Sequence, residues 1–141
     1  MRLWHKDLIR VLPRPQLLGQ WGECCAIAKN IAEKGTPNHM LVNKVIEYPD
    51  SHFIDYCARV VMEMKRRGYN VSDESFRDCL RNTLKGYRCG AFTAGVSSSD
   101  KIFDGWHNER YLKQCYYNLQ EKYDCGGISE EEWKKIEEVA K

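Results

Sequence analysis

Between Leu17 and Ala32 the apolar residues fall at Leu17, Trp21, Cys24, Cys25, Ala28, Ile31 and Ala32. Their i, i+3, i+4, i+7 spacing is the signature of one long amphipathic helix. Gly35 and Pro37 supply the stop, and Pro15 marks the start. Further stripes follow: Phe53, Cys57, Val60, Val61 and Met64 before Gly68; Phe76, Cys79, Leu80 and Thr83 after Ser72–Asp73; and Tyr111, Leu112, Cys115, Tyr116 and Leu119. A shorter apolar segment, Met40 to Ile46, predicts a small helix before Pro49. Ser129 followed by Glu132 is a capping box, and Ile128 with Trp133 a hydrophobic staple, so a last helix begins there. Glycines and the Ser97-Ser98-Ser99 run predict a loop over 86–105. No segment sustains the period-2 alternation of a half-buried strand, and no internal repeat is present. The pattern predicts an all-α fold, a compact single-domain helical bundle over 1–141 with a long first helix and a basic N-terminal arm.

Composition narrows the class. A chain of 141 residues with 43% hydrophobic and 30% charged residues is the size and make-up of one globular domain. It has no apolar run long enough to span a bilayer, and Arg2, His5, Lys6, Asp7 and Arg10 make the start too charged for a secretory signal. A cytoplasmic, monomeric protein without membrane contact is expected. Seven cysteines, an odd number without a CxxC pair, predict reduced thiols rather than a disulfide framework or paired zinc ligands. Cys24, Cys57, Cys79 and Cys115 fall on apolar stripes and read as buried small hydrophobes. No metal or organic cofactor is expected.

The net charge of +2 hides an asymmetry. Residues 1–70 carry 11 Lys/Arg against 7 Asp/Glu, whereas residues 71–141 carry 11 against 13. Three basic sets stand out. Arg2, His5, Lys6, Arg10 and Arg14 interleave with aromatic and aliphatic residues in the arm. Lys65, Arg66 and Arg67 end a helix, where cations also complement the macrodipole. Arg77, Arg81, Lys85 and Arg88 recur at steps that line one side of a helix. Together they are compatible with a surface that tracks phosphates. Gln16, Gln20, Glu23 and Asn30 lie on a different face of the first helix from its apolar stripe, with Ile27 interrupting them. Phosphate-loop, dinucleotide, HExxH and GxSxG motifs are absent, and the four histidines have no ligand-like spacing. His107, beside Asn108 and Glu109, reads as a surface or capping residue, and the aromatics from Trp106 to Trp133 read as core.

The segment Gln16-Leu17-Leu18-Gly19-Gln20-Trp21-Gly22-Glu23 resembles the start of the phage-type endonuclease V, or pyrimidine-dimer DNA glycosylase, family. Met62-Glu63-Met64-Lys65-Arg66-Arg67-Gly68-Tyr69-Asn70-Val71 resembles that family's helix ending in a basic-basic-Gly-aromatic-Asn turn. His107-Asn108-Glu109, leading into a helix, is a looser third match. The resemblance implies an all-α fold and excision of cyclobutane pyrimidine dimers from double-stranded, UV-damaged DNA, followed by cleavage at the abasic site. It implies that the α-amino group of Met1 attacks the deoxyribose C1′ and forms a Schiff base, assisted by Glu23. It also implies DNA contacts from Arg2, His5, Lys6, Arg10, Arg14, Gln16, Gln20, Arg66, Arg67, Arg77, Arg81, Lys85 and Arg88.

A terminal amine suits that chemistry. An α-amino group of ordinary pKa, about 7.8, is ~14% free base at pH 7, against ~0.04% for an ordinary lysine. The chain departs from the family in three places. The family exposes a threonine after losing its initiator Met, whereas the bulky Arg2 predicts that Met1 is retained. Gly22 stands where the family has an arginine, and the arm is one residue longer, with Pro13 and Pro15 to stiffen it. Two other readings stay open: a catalytically inactive DNA-binding module of the same fold, and a helical protein-interaction domain docking through its aromatic C-terminal region.

Overall fold

The computed structural model describes residues 1–87 and 101–141. The chain starts with a short stretch ahead of a 3-10 turn, Lys6–Val11, then enters α1, Arg14–Lys34. A second 3-10 turn, Asn43–Glu47, precedes α2, Asp50–Arg66, and α3, Asp73–Tyr87. After 101–108, α4 (Glu109–Asp124) and α5 (Glu130–Ala140) complete the chain. The described residues contain helices and turns and no strand. None of these helices is long and apolar enough to cross a membrane.

The helix boundaries follow local chemistry. α1 carries proline in its first turn, where the missing N–H costs nothing. It ends at Gly35 in the left-handed region, whose N–H returns to the Ile31 carbonyl. In α4 the Asn108 side chain caps the Tyr111 N–H, and α5 has the full Ser129–Glu132 capping box. The small helix expected over Met40–Ile46 is present in shorter form. The segment makes turns and a five-residue 3-10 helix rather than an α-helix, hemmed between Pro37 and Pro49 with Asn38 at positive φ.

The loop expected over 86–105 also starts later, because Gly86 and Tyr87 still belong to α3. A Cβ on Gly86 would sit 2.1 Å from Ile31 Cγ2 and 2.7 Å from the Ile31 carbonyl oxygen. Glycine is there because α1 and α3 nearly touch, not because a helix ends. Residues 88–100, with Arg88, Cys89 and the serine run, lie outside the described residues.

α1 packs along α3 and against α2, while α5 closes over α4 and the first 3-10 turn. One apolar cluster runs through all of them, from Leu3 and Leu8 to Phe53, Ile102, Phe103 and Ile136. The N-terminal arm is therefore not a surface appendage. Leu3, Trp4, His5, Leu8, Ile9 and Leu12 are buried, and only the intervening charges such as Asp7 and Arg10 face solvent. The arm's apolar residues outnumber its charges, so burial wins. Cys24, Cys57, Cys79 and Cys115 are buried as expected. Trp133 stacks on Tyr116 and on Tyr123, which makes these three part of the packing, whereas Tyr117, also read as core, is exposed at the surface of α4.

Candidate functional site

The stretch at residues 2–5, ahead of the 3-10 turn, has no sheet to join, so its backbone polar groups need side-chain partners. Gln20, on α1, supplies two of them. Its Oε1 accepts from the Trp4 N–H at 2.7 Å and its Nε2 donates to the Arg2 carbonyl at 2.8 Å. The primary amide thus imitates a neighbouring peptide group. Tyr56 on α2 donates its hydroxyl to the Trp4 carbonyl at 2.6 Å, and Tyr111 on α4 donates to the Leu3 carbonyl at 2.5 Å. The Lys6 N–H donates to His107 Nδ1 at 2.9 Å.

Glu23 lies one helical turn beyond Gln20, on the same side of α1. Its Oε2 accepts from the Arg2 N–H at 3.0 Å and from Gln20 Nε2 at 3.3 Å. The other oxygen, Oε1, has no hydrogen-bond partner among the described residues. The Met1 nitrogen is three covalent bonds from the Arg2 nitrogen. Standard bond lengths therefore keep it within about 7 Å of Glu23 Oε2. The carboxylate, the chain terminus and the half-buried Arg2 are thereby held in one place.

The guanidinium of Arg2 sits 5.6 Å over the Trp4 ring, beside Tyr111. It opens into a hollow of about 240 Å³ with Leu41, Tyr111, Gln114 and Asn118. A second hollow of about 380 Å³, lined by Lys44, Trp106 and Arg110 among others, shares Leu41, Tyr111 and Gln114 with the first. The two form a groove running from the terminus along the start of α4, with exposed Met40 and Leu41 on its rim. Burial pushes the Tyr56 and Tyr111 hydroxyls up, keeping both as neutral donors. Burial first, and then the nearby His5 and Lys6, hold His107 well below the ordinary histidine range. A neutral ring with a free Nδ1 lone pair is what the Lys6 N–H requires.

The other sequence candidates separate into distinct places. His5 and Gln20 are inside, 3% and 1% exposed, so they hold the arm and present no surface to a duplex. His5 stacks on His107 at 5.3 Å. His107 is itself 5% exposed, which corrects its reading as a surface residue; the cap belongs to Asn108. Lys6, Arg10 and Arg66 line another cleft, about 520 Å³, with Arg59 and Glu63.

Arg67 is committed to structure. It bonds Glu63 at 2.6 Å and the carbonyls of Leu12 and Arg10 at 2.7 and 3.1 Å, tying α2 to the end of the first 3-10 turn. Arg66 shares Glu63 but remains exposed. Arg14 stacks on Tyr69 at 5.0 Å, and Gln16 is half-buried. Arg77, Arg81 and Lys85 are exposed along α3, with Arg81 paired to Asp78.

Sequence reasoning missed Tyr56, His107 and Tyr111 as anchors of the terminus. Tyr56 carried a signal: a hydroxyl placed between Phe53, Cys57 and Val60 on a buried stripe needs a partner inside.

A family model described as pyrimidine dimer DNA glycosylase matches residues 1–76, over half of the chain. The match takes in the arm, α1 and α2, and it stops short of His107 and Tyr111. No curated protein and no solved structure matches.

Proposed function

Because this chain belongs to the pyrimidine dimer DNA glycosylase family, we propose that it excises cyclobutane pyrimidine dimers and cleaves the abasic site through a Schiff base on the Met1 α-amine. The observation that carries the reading is the Glu23 carboxylate docked on the Arg2 N–H, next to the terminus. The free amine attacks deoxyribose C1′ as the base leaves with its bonding electrons; a proton then passes from the nitrogen to the ring oxygen, the C1′–O4′ bond breaks, and the nitrogen and C1′ are left sharing the double bond of the Schiff base. Glu23 stabilises the cationic sugar with its charge. Its unpaired oxygen then takes the C2′ proton, and the 3′ phosphate departs by β-elimination.

Arg2, at the mouth of the groove, holds a backbone phosphate and orients the sugar. Double-stranded DNA is the partner, and the exposed cations of α3 and Arg10 add affinity that falls with salt. A DNA-binding module without catalysis is the second reading, favoured by Gly22 at the position of the family's arginine. The docking-domain reading has less support, because Trp133 is buried and stacked on Tyr116 and Tyr123, which leaves Tyr117 as the exposed ring of that region.

The test is borohydride trapping on a duplex with a single abasic site, using untagged protein with a free Met1. A covalent band that disappears on acetylating the α-amine is expected. Folded, correctly processed protein that gives no band would leave only the binding module.

A further inference from the structure

Between α1 and α2 the chain makes a tight turn that carries two large apolar side chains outward. Pro37, Val42 and Val45 are buried and anchor it. Met40 and Leu41, between those anchors, are 82% and 45% exposed. The turn is braced by its own polar groups. The His39 carbonyl accepts from the Val42 and Asn43 N–H groups at 3.0 and 2.9 Å, and Asn43 Oδ1 accepts from the His39 N–H at 2.9 Å. Asn38 opens it at a φ of 60°, which asparagine tolerates better than most side chains.

The surroundings of this tip say what it meets. Leu41 lines the hollow that holds Arg2, and both residues line the neighbouring hollow with Lys44 and Arg110. The two linings contain these three cations and no carboxylate. None of the three forms an ion pair among the described residues. The cleft beside Arg66 is different, because Asp7 and Glu63 line it too. An apolar tip among unpaired cations, in a groove that starts at the chain terminus, is complementary to stacked base pairs between rows of phosphates.

We propose that Met40 and Leu41 form a wedge that enters the DNA stack beside the target nucleotide and keeps that nucleotide turned out toward Met1. The inference rests on the glycosylase reading, which fixes where the target sugar lies. Inside an intact duplex an amine fixed to a folded chain has poor access to C1′, so the nucleotide must leave the stack. Methionine and leucine suit the space it vacates: both are large, apolar and without polar groups that a base step would leave unsatisfied. The unbranched thioether of Met40 adapts its shape to the step it opens. Lys44, Arg110 and Arg2 hold the flanking phosphates while the tip is inserted.

The experiment compares the full untagged chain with its Met40→Ala/Leu41→Ala variant. Both side chains are exposed, so the variant keeps the core, and circular dichroism checks it. Two abasic substrates are used, a single strand and a duplex with 2-aminopurine beside the abasic site. The fluorescence of 2-aminopurine rises as it unstacks. The parent is expected to raise it on binding, and the variant to bind without the rise. Borohydride trapping by the variant is expected to match the parent on the single strand. On the duplex it should slow about tenfold or more, the rate equivalent of losing the burial of one large apolar side chain. An equal rise from both proteins, equal trapping on the duplex, or the same loss on both substrates would overturn the proposal. So would a parent that gives no rise, or one that sediments as a dimer only while Met40 and Leu41 are present, which assigns the patch to a second copy of the chain. A parent that raises the fluorescence through these two residues yet traps on neither substrate removes the glycosylase reading and keeps the wedge.

Discussion

Gln20 and Glu23 stand one turn apart on α1 and divide the labour at the terminus: one holds the backbone, the other presents charge. Replacing Gln20 with Ala leaves the buried Trp4 N–H and the Arg2 carbonyl without their partner. A stability loss of about 1–3 kcal/mol is expected in a urea melt. Glu23→Gln keeps an oxygen for the Arg2 N–H, so its melt should match the parent. Its cleavage of abasic DNA should fall by about 10²–10⁴ in single-turnover kinetics, the usual worth of a general base. Equal losses of folding and cleavage in Glu23→Gln would make the residue a structural one. At this scale the sequence was legible only in part. Glu23 could be singled out through the motif around it, but Gln20 shared its polar face and looked solvated. What buries Gln20 is the arm crossing over it, a contact sixteen residues back in the chain that helix periodicity does not encode.

Two glycines in helices respond oppositely to the same substitution. Gly22, on the outer side of α1, has nothing within 4 Å of an added Cβ. Gly22→Ala should stabilise the protein by about 0.5–1 kcal/mol through the unfolded chain's lost freedom. Gly86→Ala drives a methyl group into Ile31 and its carbonyl, and overpacking of that kind costs about 1–3 kcal/mol or more. Thermal melts of the pair should move in opposite directions; matching shifts would deny the close approach of α1 and α3. Sequence signals of purely local origin were readable at the scale of elements. The end of α1 at Gly35 and the capping box of α5 are examples, because the residues that stop or start those helices lie within one turn. Gly86 could not be read this way, since its reason sits on another helix. The Met40–Ile46 stripe did announce a short helix before Pro49, though its 3-10 form and its start at Asn43 were not legible in the spacing.

Across the whole molecule, burial holds His5, His52 and His107 below the ordinary histidine range. The unfolded chain takes up protons on these rings near pH 6.5, while the folded one resists. Their contribution is therefore complete above about pH 6.5 and is lost as the pH falls. His107, the most deeply buried, should give a slope approaching about 1.4 kcal/mol per pH unit below about pH 6. Asp50, pushed up by burial, acts in the opposite direction, so the comparison with a variant decides. His107→Gln, which still offers an oxygen to the Lys6 N–H, should flatten the acid limb of urea stability measured from pH 7 to 5. An unchanged limb would place the titration elsewhere. The all-α class was open to sequence reasoning, because every helix repeats its own pattern. The threading of the arm through the centre was not, because its partners are 101 and 108 residues away at His107 and Tyr111. That separation sets an order of events in biosynthesis. A ribosome adding about 5–20 residues per second needs roughly 5–20 s to travel from Leu3 to Tyr111. During that interval α1, α2 and α3 can find one another, while the arm still lacks two of its anchors. The residues made first are seated last, and every enzyme that trims or acetylates nascent chains meets the arm before the fold covers it.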